Sequence, residues 1–208
     1  LQVRQLNFEK ESNAKMTILS DKEIRELCEN VESPMISPYT SVLESKGKIS
    51  HGPSSYGYDF RIGRDFKIFH NLNNKRDGSV IDPKSFDPRY CMDVKDADFV
   101  IIPPNSFVLA YSLETVHMPD DVTGIVLGKS TYARCGIDTL CTPLEAGWKG
   151  QITLEFSNNT PMPVKMYAEE GAIQVLFFRG NKCDTTYAAR SGKYQNQVGV
   201  TLPIISKF

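Results

Sequence analysis

Histidine is scarce in this chain, three in 208 residues, and none of His51, His70 and His117 has a second candidate ligand at helical or strand spacing. The five cysteines (Cys28, Cys91, Cys135, Cys141, Cys183) are odd in number and scattered, and no Pro-Cys-x-x-Cys run occurs. These shortages exclude a recognisable zinc centre of the kind that activates water in many hydrolases. With no histidine near them in sequence, Cys135 and Cys141 read as packing thiols rather than nucleophiles. The scattered thiols also suit a reducing cytosol better than a disulfide framework, which places the chain in the cytoplasm. No apolar run approaches the roughly 20 residues of a membrane helix, and no secretory signal is visible. Net charge is nearly absent: 24 Lys and Arg stand against 25 Asp and Glu. Bulk attraction to nucleic acid or to a membrane surface is therefore excluded, and any anion must be held by local groups. There is no internal repeat and no low-complexity segment, and the single tryptophan, Trp148, is most simply a core residue.

What is present points to one β-rich domain. A length of 208 residues fits one core with small additions. The first methionine is Met16, so residues 1–15 read as a leader, tag or fusion remnant, or as an extension, and residues 16–208 as the domain. Ser20, with Glu23 three residues on, predicts a capping box ahead of the helical spacing Ile24, Leu27, Cys28. Beyond residue 55 the pattern alternates. In "YGYDFRIG", Tyr58, Phe60 and Ile62 fall on one face and Asp59 and Arg61 on the other. "DFVII", "FVLAYS", "TGIVLG", "QITLEFS", "VKMYA" and "AIQVLFF" follow as short strands between Pro-, Asp- and Asn-rich turns. Such a series predicts a mainly β domain, a sandwich or barrel, with a short N-terminal helix. Asn71–Ser79 and Asp82–Arg89 read as surface loops, and the polar tail from about Arg190 to residue 208 as a flexible arm that orders on a ligand.

The chemistry concentrates between Gly128 and Thr160, "GKSTYARCGIDTLCTPLEAGWKGQITLEFSNNT". In its strand, Ile152, Leu154 and Phe156 point one way and Thr153, Glu155 and Ser157 the other. Glu155 is therefore either a solvated carboxylate on an exposed sheet face or a carboxylate in a cleft, made a proton carrier by burial. Gly128-Lys129-Ser130-Thr131 follows a strand and offers charge and hydroxyls to an anion, although the P-loop spacing is absent, so an ordinary strand-end turn is the alternative. Arg134, four residues after Ser130, faces the same space if the turn is helical, and is otherwise a surface residue. Glu145 sits in a loop between Pro143 and Gly147, as a second site carboxylate or a solvated one.

"GKSTYARCGI" followed by "TPLEAGWKGQITLEFSNNTP" resembles the signature of the dCTP deaminase family, within the trimeric dUTPase superfamily. "SSYGYDFRIG", "VIIPPNSFVLAYSLETVHMPDDV", "GAIQVLFF" and "GKYQNQVGVTLP" are similar to its flanking segments, so the likeness runs from about Met16 to Pro203. The resemblance implies a distorted β-barrel or jelly-roll-like dUTPase fold. It implies that Glu155 is the catalytic carboxylate, with Ser130 and Arg134 as its catalytic partners. Nucleotide contacts are implied for Lys129, Ser130, Thr131, Tyr132, Ala133 and Arg134, for Thr153, Leu154 and Glu155, and for Gln174. Tyr187, Lys193 and Gln197 are implied in the tail, and Glu145 near sugar and base. One departure stands out. The family has an apolar run ending in Val before Thr-Pro, where this chain has Asp138-Thr139-Leu140-Cys141, in a segment that lines the base pocket.

The activity implied is hydrolytic deamination of dCTP to dUTP and ammonia without zinc, with Mg²⁺ carried on the triphosphate. A homotrimer is implied, with sites shared between subunits and a tail that reaches a neighbour. Deamination needs a water to lose a proton as it attacks C4, N3 to gain one, and ammonia to leave. Glu155 would carry those protons, while Ser130 and a carbonyl near Cys141–Pro143 hold the water. Three rivals share the fold: a bifunctional deaminase–dUTPase giving dUMP and pyrophosphate, which the likeness of "LEAGWKG" to the dUTPase motif suggests; a deaminase of a 5-substituted dCTP; and a silent nucleotide-binding regulator.

Overall fold

The structure, a computed structural model, describes residues 16–29, 31–70 and 80–205. The leader assigned to residues 1–15 and the loop Asn71–Ser79 lie outside the described residues. Strand β1 (Thr17–Ile18) leads into helix α1 (Asp21–Glu26), where Ser20 and Glu23 form the reciprocal capping box that the sequence predicts. Ile24 of that helix is buried and anchors it on the core. Short strands follow: β2 (Ile36–Ser37), β3 (Gly52–Pro53), β4 (Tyr58–Arg61), β5 (Phe66–Phe69), β6 (Cys91–Val94) and β7 (Phe99–Ile102). The long β8 (Ser106–His117) and β9 (Val122–Gly128) precede a single helical turn, α2 (Ser130–Ala133). The chain then forms β10 (Ile137–Leu140), β11 (Lys149–Asn158), β12 (Val164–Tyr167) and β13 (Gly171–Arg179).

All named strand pairs are antiparallel. One sheet is built around β13, with β9 on one side and β4 and β1 on the other, and β3 beyond β4. A second runs β10-β11-β8-β5-β6, with β2 also on β8, and β12 pairs with β7 apart from both. The mainly β architecture with a short N-terminal helix is the expected one, built of open sheets rather than a closed barrel. The four-residue edge strands β10 and β6 end the second sheet without meeting each other, so no barrel closes.

The alternation in β4 gives Tyr58, Phe60 and Ile62 to the core, each fully buried. In β11 it gives Ile152, Leu154 and Phe156. Tyr58, Phe60, Phe156 and Phe177 are the large members of one continuous cluster, and burial of such side chains is worth roughly 1.5–3 kcal/mol each. The β11–β8 register shifts between Gln151 and Thr153, so β8 carries extra residues there. Side chains stitch this bulge: Ile152 N–H donates to Ser112 Oγ (2.8 Å), and Ser112 Oγ donates to Glu114 O (2.7 Å). The bulge sits two residues before Glu155 and pins the strand that carries it.

Candidate active site

Glu155 lies in the wall of a cavity of about 700 Å³. Phe107 and Leu109 of β8 form its apolar floor, the Cys141–Glu145 loop one side, and the C-terminal segment its roof. The register sets Leu140, Glu155 and Leu109 side by side, with Lys67 of β5 beyond Leu109, so these side chains share a face. Lys67 is held by Asp93, and among the described residues no cation hydrogen-bonds to Glu155. Oε2 of Glu155 is buried with no hydrogen-bond partner. Burial pushes its carboxyl up to about 7; the neighbouring Cys141 thiol and a backbone group oppose that rise in part. Of the two readings open for this residue, the half-buried side chain and its place in the cavity wall favour the cleft. The Cys141 thiol donates its hydrogen bond to Thr153 O (3.4 Å), and burial holds it far above its ordinary range.

The tail closes over the same chain's cavity. Gln197 pairs with Gly150 and Gln151 as an added strand: Gln151 N–H donates to Gln197 O (3.0 Å), and Gln197 Nε2 donates to Gln151 O (2.7 Å). Gly150, at φ +152, makes this approach possible, because a Cβ there would lie 2.9 Å from Gln197 O. Thr153 Oγ1 accepts from Gln197 Nε2 and from Thr201 N, both at 3.3 Å. Trp148, buried as expected, also donates from Nε1 to Tyr194 O (3.0 Å). Tyr187 OH accepts from Tyr194 N (3.1 Å), and its ring fills the space that a side chain on Gly192 would need. Arg190 lies over the Tyr187 ring and forms an ion pair with Glu145. Lys193 and Gln197 both line the cavity. The arm reaches across its own chain here.

Six of the expected residues therefore meet: Glu145, Thr153, Glu155, Tyr187, Lys193 and Gln197 all line the cavity. Leu154 is fully buried in the core, so only its backbone can face a ligand. The turn after β9 is elsewhere. Ser130, Thr131, Ala133 and Arg134 are exposed and do not line the cavity. Arg134 N–H donates to Ser130 O (3.1 Å), so the turn is helical, as the four-residue spacing required. Tyr132 points inward, its hydroxyl accepting from Tyr167 N (3.0 Å), and burial pushes that hydroxyl up to about 12. Lys129 is ion-paired with Asp59, and Gln174 Nε2 donates to Ser54 Oγ (3.2 Å). Sequence reasoning missed the Cys141 contact, the roof residue Tyr194, the Arg190–Glu145 ion pair and the burial of Asp59. No local pattern signals any of them.

Among the described residues, no three His, Cys, Asp or Glu side chains are grouped to hold a metal ion, and no helix is long and apolar enough to cross a membrane.

An apolar floor, a proton-affine carboxylate and a hydrogen-bonded polar roof define a small-molecule-binding β protein equipped for acid–base chemistry. Comparison with known proteins narrows this. The sequence profile described as dCTP deaminase-like matches residues 18–180, and the chain belongs to that family. The chain is 53% identical over 189 residues to a dCTP deaminase of Paramagnetospirillum magneticum, covering 90% of this chain and 99% of that one. It is 52% identical over 193 residues to a dCTP deaminase of Campylobacter concisus, covering 92% of this chain and 100% of that one. The fold is similar to the crystal structure of 2′-deoxycytidine 5′-triphosphate deaminase from Agrobacterium tumefaciens (TM-score 0.59, 18% identity). That match covers 79% of this chain and 48% of that one.

Proposed function

We propose that this chain deaminates dCTP to dUTP and ammonia, with Glu155 as the proton carrier. The observation that carries this reading is the Glu155 carboxyl: partly unpaired, desolvated, and half-protonated near neutrality at the wall of a nucleotide-sized cavity. A group poised near 7 both accepts and returns protons at little cost. In the reaction, water oxygen forms a bond to C4 while its proton passes to Glu155. The proton goes on to N3, the new C4 hydroxyl gives its proton through Glu155 to the exocyclic amine, and the C4–N bond breaks as the C4 carbonyl forms, releasing ammonia. The pyrimidine ring rests against Phe107 and Leu109. Glu145 and Tyr187 meet the sugar, and Lys193 and Gln197 meet the phosphates. Thr153 and the Leu154 backbone hold the strand side of the base. The substrate is the magnesium complex of dCTP, with the ion carried on its phosphates.

Ser130 and Arg134 are the residues of the reading that one chain does not bring to its own cavity. We assign them to a neighbouring copy in a homotrimer, where the turn Ser130–Arg134 of one subunit, with Ser130, Thr131 and Arg134 exposed, completes the cavity of the next. There Ser130 holds the attacking water and Arg134 faces the developing charge, while Thr131 and the backbone of Tyr132 and Ala133 approach the phosphates and Gln174 adds a further nucleotide contact. Five free thiols support a cytoplasmic setting. Incubation with dCTP, with ammonia, dUTP, dUMP and pyrophosphate measured separately, tests the assignment. Ammonia and dUTP in equal amounts are expected. Release of dUMP with pyrophosphate would instead assign a bifunctional enzyme, and binding without turnover a regulator.

A further inference from the structure

Asp59 stands within β4, opposite Gln174 of β13 and Gly52 of β3. It lies on the face turned away from Tyr58 and Phe60, yet it is only 5% exposed. An aspartate is disfavoured in a strand, and a carboxylate out of water needs a partner. That partner is Lys129, whose Nζ donates to Asp59 Oδ2 and whose side chain is 10% exposed. The other nearby cation, Arg61, is engaged by buried Glu114, with Nε at 2.7 Å and backbone N at 3.1 Å from its carboxylate oxygens. Asp59 Oδ1 is buried without a partner, so among the described residues Lys129 alone answers this charge.

Lys129 is also the residue that converts β9 into α2. Its N–H donates to Ala172 O (3.3 Å), and its carbonyl accepts from Tyr132 N and Ala133 N, both at 3.0 Å. Its side chain makes no capping hydrogen bond, so it adds nothing to the turn except through Asp59. One residue is thus anchored from below by its ammonium and opens the turn with its backbone.

We propose that Asp59 is a positioning residue for the Ser130–Arg134 turn: by holding the Lys129 ammonium it fixes the start of the turn and withdraws that charge from the substrate. Recognition at the turn then falls to the exposed Ser130, Thr131 and Arg134 side chains. The physical reason is asymmetry. Drawing Lys129 away would leave Asp59 as a buried, uncompensated carboxylate, which is far less favourable than leaving both together. The proposal rests on the deaminase reading only for what the turn does, and it narrows that reading by removing Lys129 from the phosphate contacts.

The test compares wild type, Asp59→Asn, Asp59→Glu and the double variant Asp59→Asn/Lys129→Met. The double variant removes both charges and guards against simple misfolding of the single one. Amide hydrogen exchange at residues 130–134 should rise at least about tenfold in Asp59→Asn and in the double variant, while β11 amides keep their protection; Asp59→Glu should regain part of the loss. Ammonia release should show kcat down at least about tenfold in both variants. In the double variant, the salt dependence of dCTP affinity should match that of wild type, because Lys129 makes no phosphate contact. Unchanged exchange at the turn, or unchanged kcat in a folded variant, overturns the proposal. So does dCTP binding weakened about tenfold in the double variant with a flatter salt dependence, which would place Lys129 on the phosphates. A wild-type chain that binds dCTP and releases no ammonia would sink the deaminase reading, while the exchange measurement would still decide the role of Asp59.

Discussion

At the scale of single residues, Glu155 shows how burial makes a reagent from an ordinary carboxylate. Its value rises from 4.5 to about 7, mainly by desolvation. The folded chain therefore binds this proton more tightly than the unfolded chain, and between those values folding takes up a proton. Stability contributed here falls as pH rises from about 4.5 to about 7 and is level above. Glu155→Gln removes that loss, so its melting temperature relative to wild type should climb between pH 5 and pH 8. Turnover of dCTP should drop at least about a hundredfold while affinity stays within about tenfold. Near-normal turnover would return Glu155 to a passive role. Cys141 makes a second prediction. Its thiol opposes the rise at Glu155, so Cys141→Val should move the acid limb of kcat/KM to higher pH, and Cys141→Ser, a better donor, to lower pH. A limb that stays in place in both variants would deny the contact any influence. Glu155 was legible in the alternation of its strand together with the family likeness. Cys141 was not, because the contact depends on how β10 registers against β11. Asp59 misled for the same kind of reason: alternation places it opposite the core, and nothing local tells that Lys129, seventy residues on, covers it.

Among the elements, the legible ones are those whose signal is complete within a few residues. The Ser20–Glu23 box and the alternating strands β4, β8, β9, β11 and β13 appear where the sequence puts them. The strands β5, β6 and β10 were not read; each is four residues long and borrows its order from a longer neighbour. The arm is the instructive case. Its composition is that of a mobile segment, yet Gln197, Tyr194 and Gly199 bind backbone and side-chain groups of β11 and Trp148. These bonds are polar and mostly peripheral, the kind that open at modest free energy. Truncation after Ser191 removes Lys193, Tyr194 and Gln197 from the cavity roof at once. Steady-state rates on dCTP should then show KM raised and kcat lowered together, since the roof both binds substrate and excludes water. A truncated chain with wild-type constants would make the arm an ornament.

For the whole molecule, the separation of the turn from the cavity decides what assembly must do. One chain presents Glu155 on its six-stranded sheet and the exposed Ser130 and Arg134 after β9 of the other sheet. If neighbouring copies complete each other's sites, two inactive variants should rescue one another. Glu155→Gln supplies an intact turn, and Ser130→Ala an intact carboxylate. In trimers formed at random from equal amounts, one junction in four joins the good carboxylate to the good turn, so about a quarter of wild-type activity should return. The chains are unfolded and refolded together or co-expressed, so that hybrid trimers form whatever the rate of subunit exchange. Light scattering on the same samples should give three times the chain mass. Activity that remains at the level of the separate variants, in a mixture shown to contain hybrid trimers, would mean that each chain completes its own site, and Ser130 would then need to reach Glu155 by a movement of its own turn.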